Sequence, residues 1–231
     1  MATDSDDFAS DPTSYVTAVS GSWSYDSTNG DVELDATSEN VLLRFDRTAP
    51  GNIEHESQVT AISSTLTTRN GGAATRIHNS STEDGYICYN DSAKIVMHRV
   101  LAGSRVEILA GSANAIATGD YYTIRFSAEG GDGANVVLSA WLTDHNSSTK
   151  PGDPGWIGDT GSPDETYTDT DVNRLDDSSV HLYCGMGTRF AGAAYDSNCD
   201  WFKLEAISDR GGSAGSLFTS KIGLPMYLLS R

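Results

Sequence analysis

A chain of 231 residues with 32 Asp and Glu against 15 Lys and Arg carries a formal net charge of −17 at pH 7. That length is ample for a buried core, while the negative charge repels phosphate backbones and anionic membrane surfaces, so no nucleic acid and no membrane are expected as partners. Neither an apolar run of roughly 18–20 residues nor a basic, apolar leader is present in the sequence, and a product made in the cytoplasm without a signal peptide is expected.

In chain order, alternation of apolar and polar residues bounded by Gly, Asn, Asp and Ser predicts strands at 21–25, 31–34, 41–46, 56–63, 73–78, 85–89, 94–100, 104–110, 121–128, 135–142, 179–186 and 200–206. The links between them carry residues that accept positive φ: Asn29-Gly30, Asn70-Gly71-Gly72, Ala102-Gly103 and Gly130-Gly131-Asp132-Gly133. Short links favour antiparallel hairpins, and helical periodicity is nearly absent. No repeat recurs at the roughly 20–50-residue periods of solenoids or propellers. The expected fold class is therefore all-β, one antiparallel β-sandwich of two sheets.

Cys88, Cys184 and Cys199 permit at most one internal bridge; free thiols are expected, with a Cys184–Cys199 bridge as the alternative. Residues 143–178 are expected to form one long acidic connection, far beyond the usual ~4–6 residues. Between 151 and 177, eight acids (Asp153, Asp159, Asp164, Glu165, Asp169, Asp171, Asp176 and Asp177) accompany Arg174 alone. Such a segment suits a calcium-binding or ligand-facing loop, because hard cations take several carboxylate and carbonyl oxygens. The alternative is a solvated acidic loop. Trp156, between Gly155 and Ile157, is a candidate platform for a sugar ring, or else the residue that pins this loop to the sandwich.

Residues 1–208 are read as the sandwich, and 209–216 as a Gly/Ser-rich linker. The extended C-terminal tail that follows contains Leu217, Phe218, Ile222, Leu224, Met226, Tyr227, Leu228 and Leu229. Leaving its large aliphatic residues in water forgoes about 1.5–3 kcal/mol each, so the tail is expected to dock on a partner surface or to fold back on its own sandwich.

Signals for catalysis are sparse. Glu54 and Glu56 share a strand face, and glycoside hydrolysis needs two carboxyl groups flanking one bond; the alternative is an edge strand carrying solvated charges. His55, His78, His98, His145 and His181 lack zinc spacing, and Cys88 alternates like a sheet residue, not a nucleophile at a helix start. No enzyme is expected. Arg76 and Arg99, beside His78 and His98 on adjacent strands, are candidates to face a concave sheet surface and bind an anionic or hydroxylated ligand, or to pair with the abundant acids. Tyr86 joins them as an aromatic face, although most aromatics at this spacing belong to the core.

The order Asp6-Asp7-Phe8, Gly21-Ser22-Trp23 and Gly30-Asp31-Val32-Glu33-Leu34 resembles the first strands of concanavalin-like, laminin-G-like jelly rolls. Thr75-Arg76-Ile77 with Gly85-Tyr86, then Tyr121-Tyr122-Thr123-Ile124-Arg125-Phe126, Val137-Leu138-Ser139-Ala140-Trp141 and Cys199-Asp200-Trp201-Phe202-Lys203-Leu204, resemble its middle and last strands. The resemblance spans about residues 6–208 and implies a jelly-roll β-sandwich whose first and last strands pair. That pairing brings Asp6 and Asp7 near Asp200, and calcium sites of the family often sit at this junction. Catalytic members alternate Glu, Asp and Glu along one strand, whereas Ser57 and Gln58 follow Glu56 here. Together these features suggest a non-catalytic structural or binding module of a larger assembly. The expected setting is a virion surface, as a head decoration or fibre protein with protein partners and homo-oligomers. The alternative is a carbohydrate-binding module, with or without weak glycoside hydrolase activity, taking a glycan as its partner.

Overall fold

The computed structural model describes residues 4–35, 41–46, 55–62, 71–91, 94–114, 116–131, 133–153, 155–158, 161–176, 180–188 and 196–206. The strands are β1 (Asp4–Asp6), β2 (Val16–Ser20), β3 (Ser22–Asp26), β4 (Asp31–Asp35), β5 (Val41–Phe45), β6 (His55–Ile62), β7 (Gly72–His78) and β8 (Gly85–Asp91). They continue as β9 (Lys94–Leu101), β10 (Ser104–Ala113), β11 (Tyr121–Gly130), β12 (Val136–Asp144), β13 (Glu165–Asp169), β14 (His181–Thr188) and β15 (Asp196–Ala206). A 3-10 turn, Pro12–Ser14, precedes β2, and Asp11 caps it by accepting the Thr13 N–H at 2.9 Å.

Two antiparallel sheets result. One runs β13-β12-β11-β6-β15-β4-β3, with β1 also pairing β15; the other runs β10-β9-β8-β7-β14-β5-β2. The first and last strands do pair: Asp4 opposes Leu204 and Asp6 opposes Phe202, while β4 continues along the same strand with Val32 opposite Cys199. Two expectations need correction. Residues 143–178 are not one open connection, because β13 pairs with β12 from Val136↔Asp169 to Ala140↔Glu165. Its sequence hides this, since Tyr167 is its one hydrophobic residue packed on the core. Nor is β6 an edge strand, for it lies between β11 and β15.

Alternation builds the core between the sheets. On β6, Val59 and Ala61 point inward; on β8, Tyr86 and Cys88 do so; β15 supplies Cys199 and Phe202, all buried. The rings of Phe45 and Phe202 stack across the sandwich at 3.6 Å. Cys88, Cys184 and Cys199 are buried thiols not joined in disulfides, and burial pushes the pKa values of Cys88 and Cys184 upward.

The other face of the seven-stranded sheet is also apolar. Leu42, Ala74, Ile77, Ile87, Tyr89, Val96 and Val100 form a second cluster, each at 0% exposure. Neighbouring strands lie about 4.8 Å apart, so in a flat sheet β10 and β14, four places apart, would be separated by roughly 19 Å. Arg105 on β10 nevertheless donates to the Thr188 carbonyl of β14 at 3.0 Å and to Glu83 at 3.0 Å, and Glu83 accepts from Ser20 of β2 at 2.7 Å. The sheet curls until its two edge strands meet through one carboxylate. Its concave side holds a second core.

Candidate functional site

Three arrangements carry the polar chemistry of the described residues. The first is a stripe across the eight-stranded sheet, on the face opposite the core. Registers Trp141↔Arg125↔Gln58↔Lys203 align side chains from four adjacent strands. Residues 145–153 and 155–158 lie on this stripe. Gln58 donates to the Gly155 carbonyl at 2.5 Å and accepts the Ile157 N–H at 2.9 Å, and Arg125 donates to the Ile157 carbonyl at 2.7 Å. Lys203 pairs with Asp153, and Thr123 meets His145 Nε2 at 2.8 Å. The Arg125 guanidinium sits 4.0 Å from the Trp141 ring and 5.8 Å from that of Trp156. Trp156 is half-buried in this clasp, with Ile157 buried beside it. Glu56 is fully buried and bound by Arg125 at 2.7 Å. It therefore cannot flank a glycosidic bond, and its charge is not solvated; Glu54 lies outside the described residues.

The second arrangement gathers three of the expected ligand residues, but inside the protein. Tyr86 donates to Asp169 at 2.8 Å, Arg99 donates to both Asp169 oxygens at 3.0 Å and pairs with Asp171 at 3.0 Å, and Arg76 donates to the Leu175 carbonyl at 2.9 Å and to that of Gly130. The Leu175 N–H closes the set on the Tyr86 oxygen at 2.9 Å. Arg76, Tyr86 and Asp169 are fully buried and Arg99 is nearly so. These groups fasten the 169–175 turn to the sandwich and do not line an open concave face. Simple alternation places Arg76 on the concave side with Ala74. A bulge defeats that inference: Arg76 has φ 53°, and between Ala74↔Gly185 and Ile77↔Tyr183 β7 spends one residue more than β14. Burial drives the Tyr86 phenol pKa upward, and its bond to the Asp169 carboxylate adds to the rise.

The third arrangement is a cleft of about 440 Å³ where the ends of β9 and β10 meet β12 and the start of β13. Ile95, Ile116 and Leu142 give it apolar walls; Asp144, Asp164 and Glu165 supply carboxylates, with the amides of Asn114 and Asn146 beside them. Each carboxylate is fixed by a backbone N–H: Asp144 by Asn146 at 2.8 Å, Asp164 by Leu142 at 2.7 Å and Glu165 by Ser112 at 2.5 Å. Of these residues, Asp164 and Glu165 belong to the 151–177 acidic stretch, and Asp144 and Asn146 to the long connection expected from residue 143. The remainder come from chain segments that only the fold assembles.

Acids also converge elsewhere. Asp26, Asp31 and Glu33, across the β3–β4 hairpin, bring carboxylate oxygens within 4.8 Å of one another. Asp7 is exposed and accepts the Ala9 N–H at 3.1 Å. The β1–β15 register carries the backbones of Asp6 and Asp200 to the same end of the sandwich, while their side chains lie outside the described set. The tail residues Leu217, Phe218, Ile222, Leu224, Met226, Tyr227, Leu228 and Leu229 lie outside the described residues, as does the linker before them. Among the described residues, no helix is long and apolar enough to cross a membrane.

No protein-family model matches the sequence, and no curated protein matches it. Solved structures match it in shape. Peanut lectin superposes with a TM-score of 0.51 at 8% identity, over 88% of this chain and 96% of the lectin. The exoplasmic/lumenal domain of VIP36 gives 0.50 at 12% identity over 84% of each chain. The Bacteroides ovatus xyloglucan protein GH43B gives 0.52 at 12% identity, over 88% of this chain and 39% of that one. The fold is the concanavalin-like jelly roll. At such identities the likeness establishes architecture alone.

Proposed function

We propose that this chain is a non-catalytic carbohydrate-binding module whose ligand occupies the cleft between β9–β10 and β12–β13. The carrying observation is the composition of that cleft: fixed carboxylates and amides beside apolar walls, in a volume of about 440 Å³. A sugar ring presents hydroxyl donors at its rim and C–H groups on its faces, and this lining offers acceptors for the first and apolar surface for the second. The fold adds support, since peanut lectin shares it and the VIP36 domain was solved in a Ca2+/Man3GlcNAc-bound form. These neighbours favour a glycan over the expected role at a virion surface. The burial of Glu56 against Arg125 removes the one carboxylate pair that suggested hydrolysis.

A calcium ion, where one is bound, fits the oxygen-only donor set of Asp26, Asp31 and Glu33. There it would stiffen the β3–β4 hairpin. The test of the main reading is a glycan array probed with the full chain, followed by product analysis of every bound glycan. Binding without cleavage is expected; silence across the array, or cleavage of a bound glycan, contradicts the proposal.

A further inference from the structure

The cleft's electrostatics narrow the class of glycan, resting on the carbohydrate-binding reading above. Among the described residues, its lining contains three carboxylates and no Lys, Arg or His. Among the described residues, none of the three enters an ion pair, whereas Glu56, Glu83, Asp153 and Asp169 each hold a cation. Each cleft carboxylate spends one oxygen on a backbone N–H: Asp144 Oδ1, Asp164 Oδ2 and Glu165 Oε1. No described hydrogen bond engages the second oxygens. Those three oxygens are acceptors open to a ligand's donors.

Spacing discriminates between possible cations. Asp144, Asp164 and Glu165 do not all bring an oxygen within 4.8 Å of one another, as the β3–β4 acids do, so the three are not gathered around one metal ion. Separated negative charges along a cleft with apolar walls suit a ligand with separated positive charges and apolar faces. We propose that the cleft takes an oligosaccharide of hexosamine units with free amino groups. Each ammonium supplies three donors and no acceptor, matching the lining in charge and polarity. A neutral sugar leaves the three charges uncompensated, and a uronic acid is repelled. The net charge of −17 adds long-range attraction for a cationic chain.

The test is calorimetric titration of the full chain with three β-1,4-linked tetramers: glucosamine, N-acetylglucosamine and glucose. The glucosamine tetramer is expected to bind at least about tenfold more tightly than the other two, with the margin shrinking at high salt. An Asp164→Asn/Glu165→Gln variant, shown to be folded by its melting curve, is expected to lose that margin. Glu107→Gln, which removes an exposed acid from β10 outside the cleft, is expected to keep it. Equal affinity for the three tetramers overturns the amine preference and leaves the glycan reading standing. So does a preference that Glu107→Gln weakens as much as the cleft variant, because the charge then acts globally. No binding to these tetramers alongside an array hit elsewhere overturns only this inference, and no binding to any glycan overturns both.

Discussion

Arg99 and Asp169 are buried together, and Tyr86 shares the same carboxylate. Removing one partner of such a pair strands a charge in a low-dielectric interior, at a cost of about 3–5 kcal/mol. Arg99→Met is therefore expected to lower the melting temperature by roughly 6 °C or more, while leaving glycan affinity unchanged because Arg99 does not line the cleft. An unchanged melting curve would contradict the anchoring role. Trp156→Ala separates the two readings of that residue in the same way: destabilisation with intact binding is the expected result, and lost binding in a folded variant would make it a sugar platform. Calcium has its own residue-scale test. Added Ca2+ should raise the melting temperature of the wild type and not that of Asp31→Asn, whereas a wild-type curve indifferent to both calcium and chelator rules the site out.

At the scale of elements, residues 145–153 and 155–158 are held to the eight-stranded sheet by groups that titrate. Burial lowers the His145 pKa below 6.5, with Asp144 opposing, so the folded chain keeps this ring neutral while the unfolded chain protonates it. Its contribution is present above about pH 6.5 and is lost as pH falls. Burial raises the Asp153 pKa, but the Lys203 ammonium and the Gly155 N–H more than offset this and hold it below 3.8. That second contribution disappears as pH falls below about 3.8 and through the depressed folded value. Urea midpoints are therefore expected to drop in two stages between neutral and strongly acidic pH; a flat profile contradicts the clasp. Strand positions were largely legible because period-two alternation is strong from β3 to β12. β13 was not, because an edge strand such as Glu165–Asp169 gains its place from backbone pairing with β12 and little from apolar burial. Arg76 misled for a different reason, since one bulge in β7 reverses the face that alternation assigns.

For the whole molecule, the sandwich architecture followed from patterning and the pairing of the terminal strands from the resemblance to concanavalin-like jelly rolls, and the shapes of peanut lectin and the VIP36 domain agree with the architecture. The curl of the seven-stranded sheet did not. It brings Arg105 of the edge strand β10 to Thr188 of β14, and through Glu83 to Ser20 of the other edge strand β2, contacts between segments with no local link in sequence. That curl fills the concave side with Tyr89, Ile87 and their neighbours, which moves the candidate site to the junction of the two sheets. The junction draws on residues 95, 112–114, 116, 142, 144, 146 and 164–165, a combination with no local sequence signature. The most direct measurement is a calorimetric titration of the best array glycan into the full chain and into Ile116→Trp, a variant that fills the cleft and leaves every carboxylate in place. Saturable binding to the wild type, weakened at least about tenfold in a variant that melts at the same temperature, is the predicted result. Equal affinity in the two proteins would place the glycan elsewhere and contradict the account.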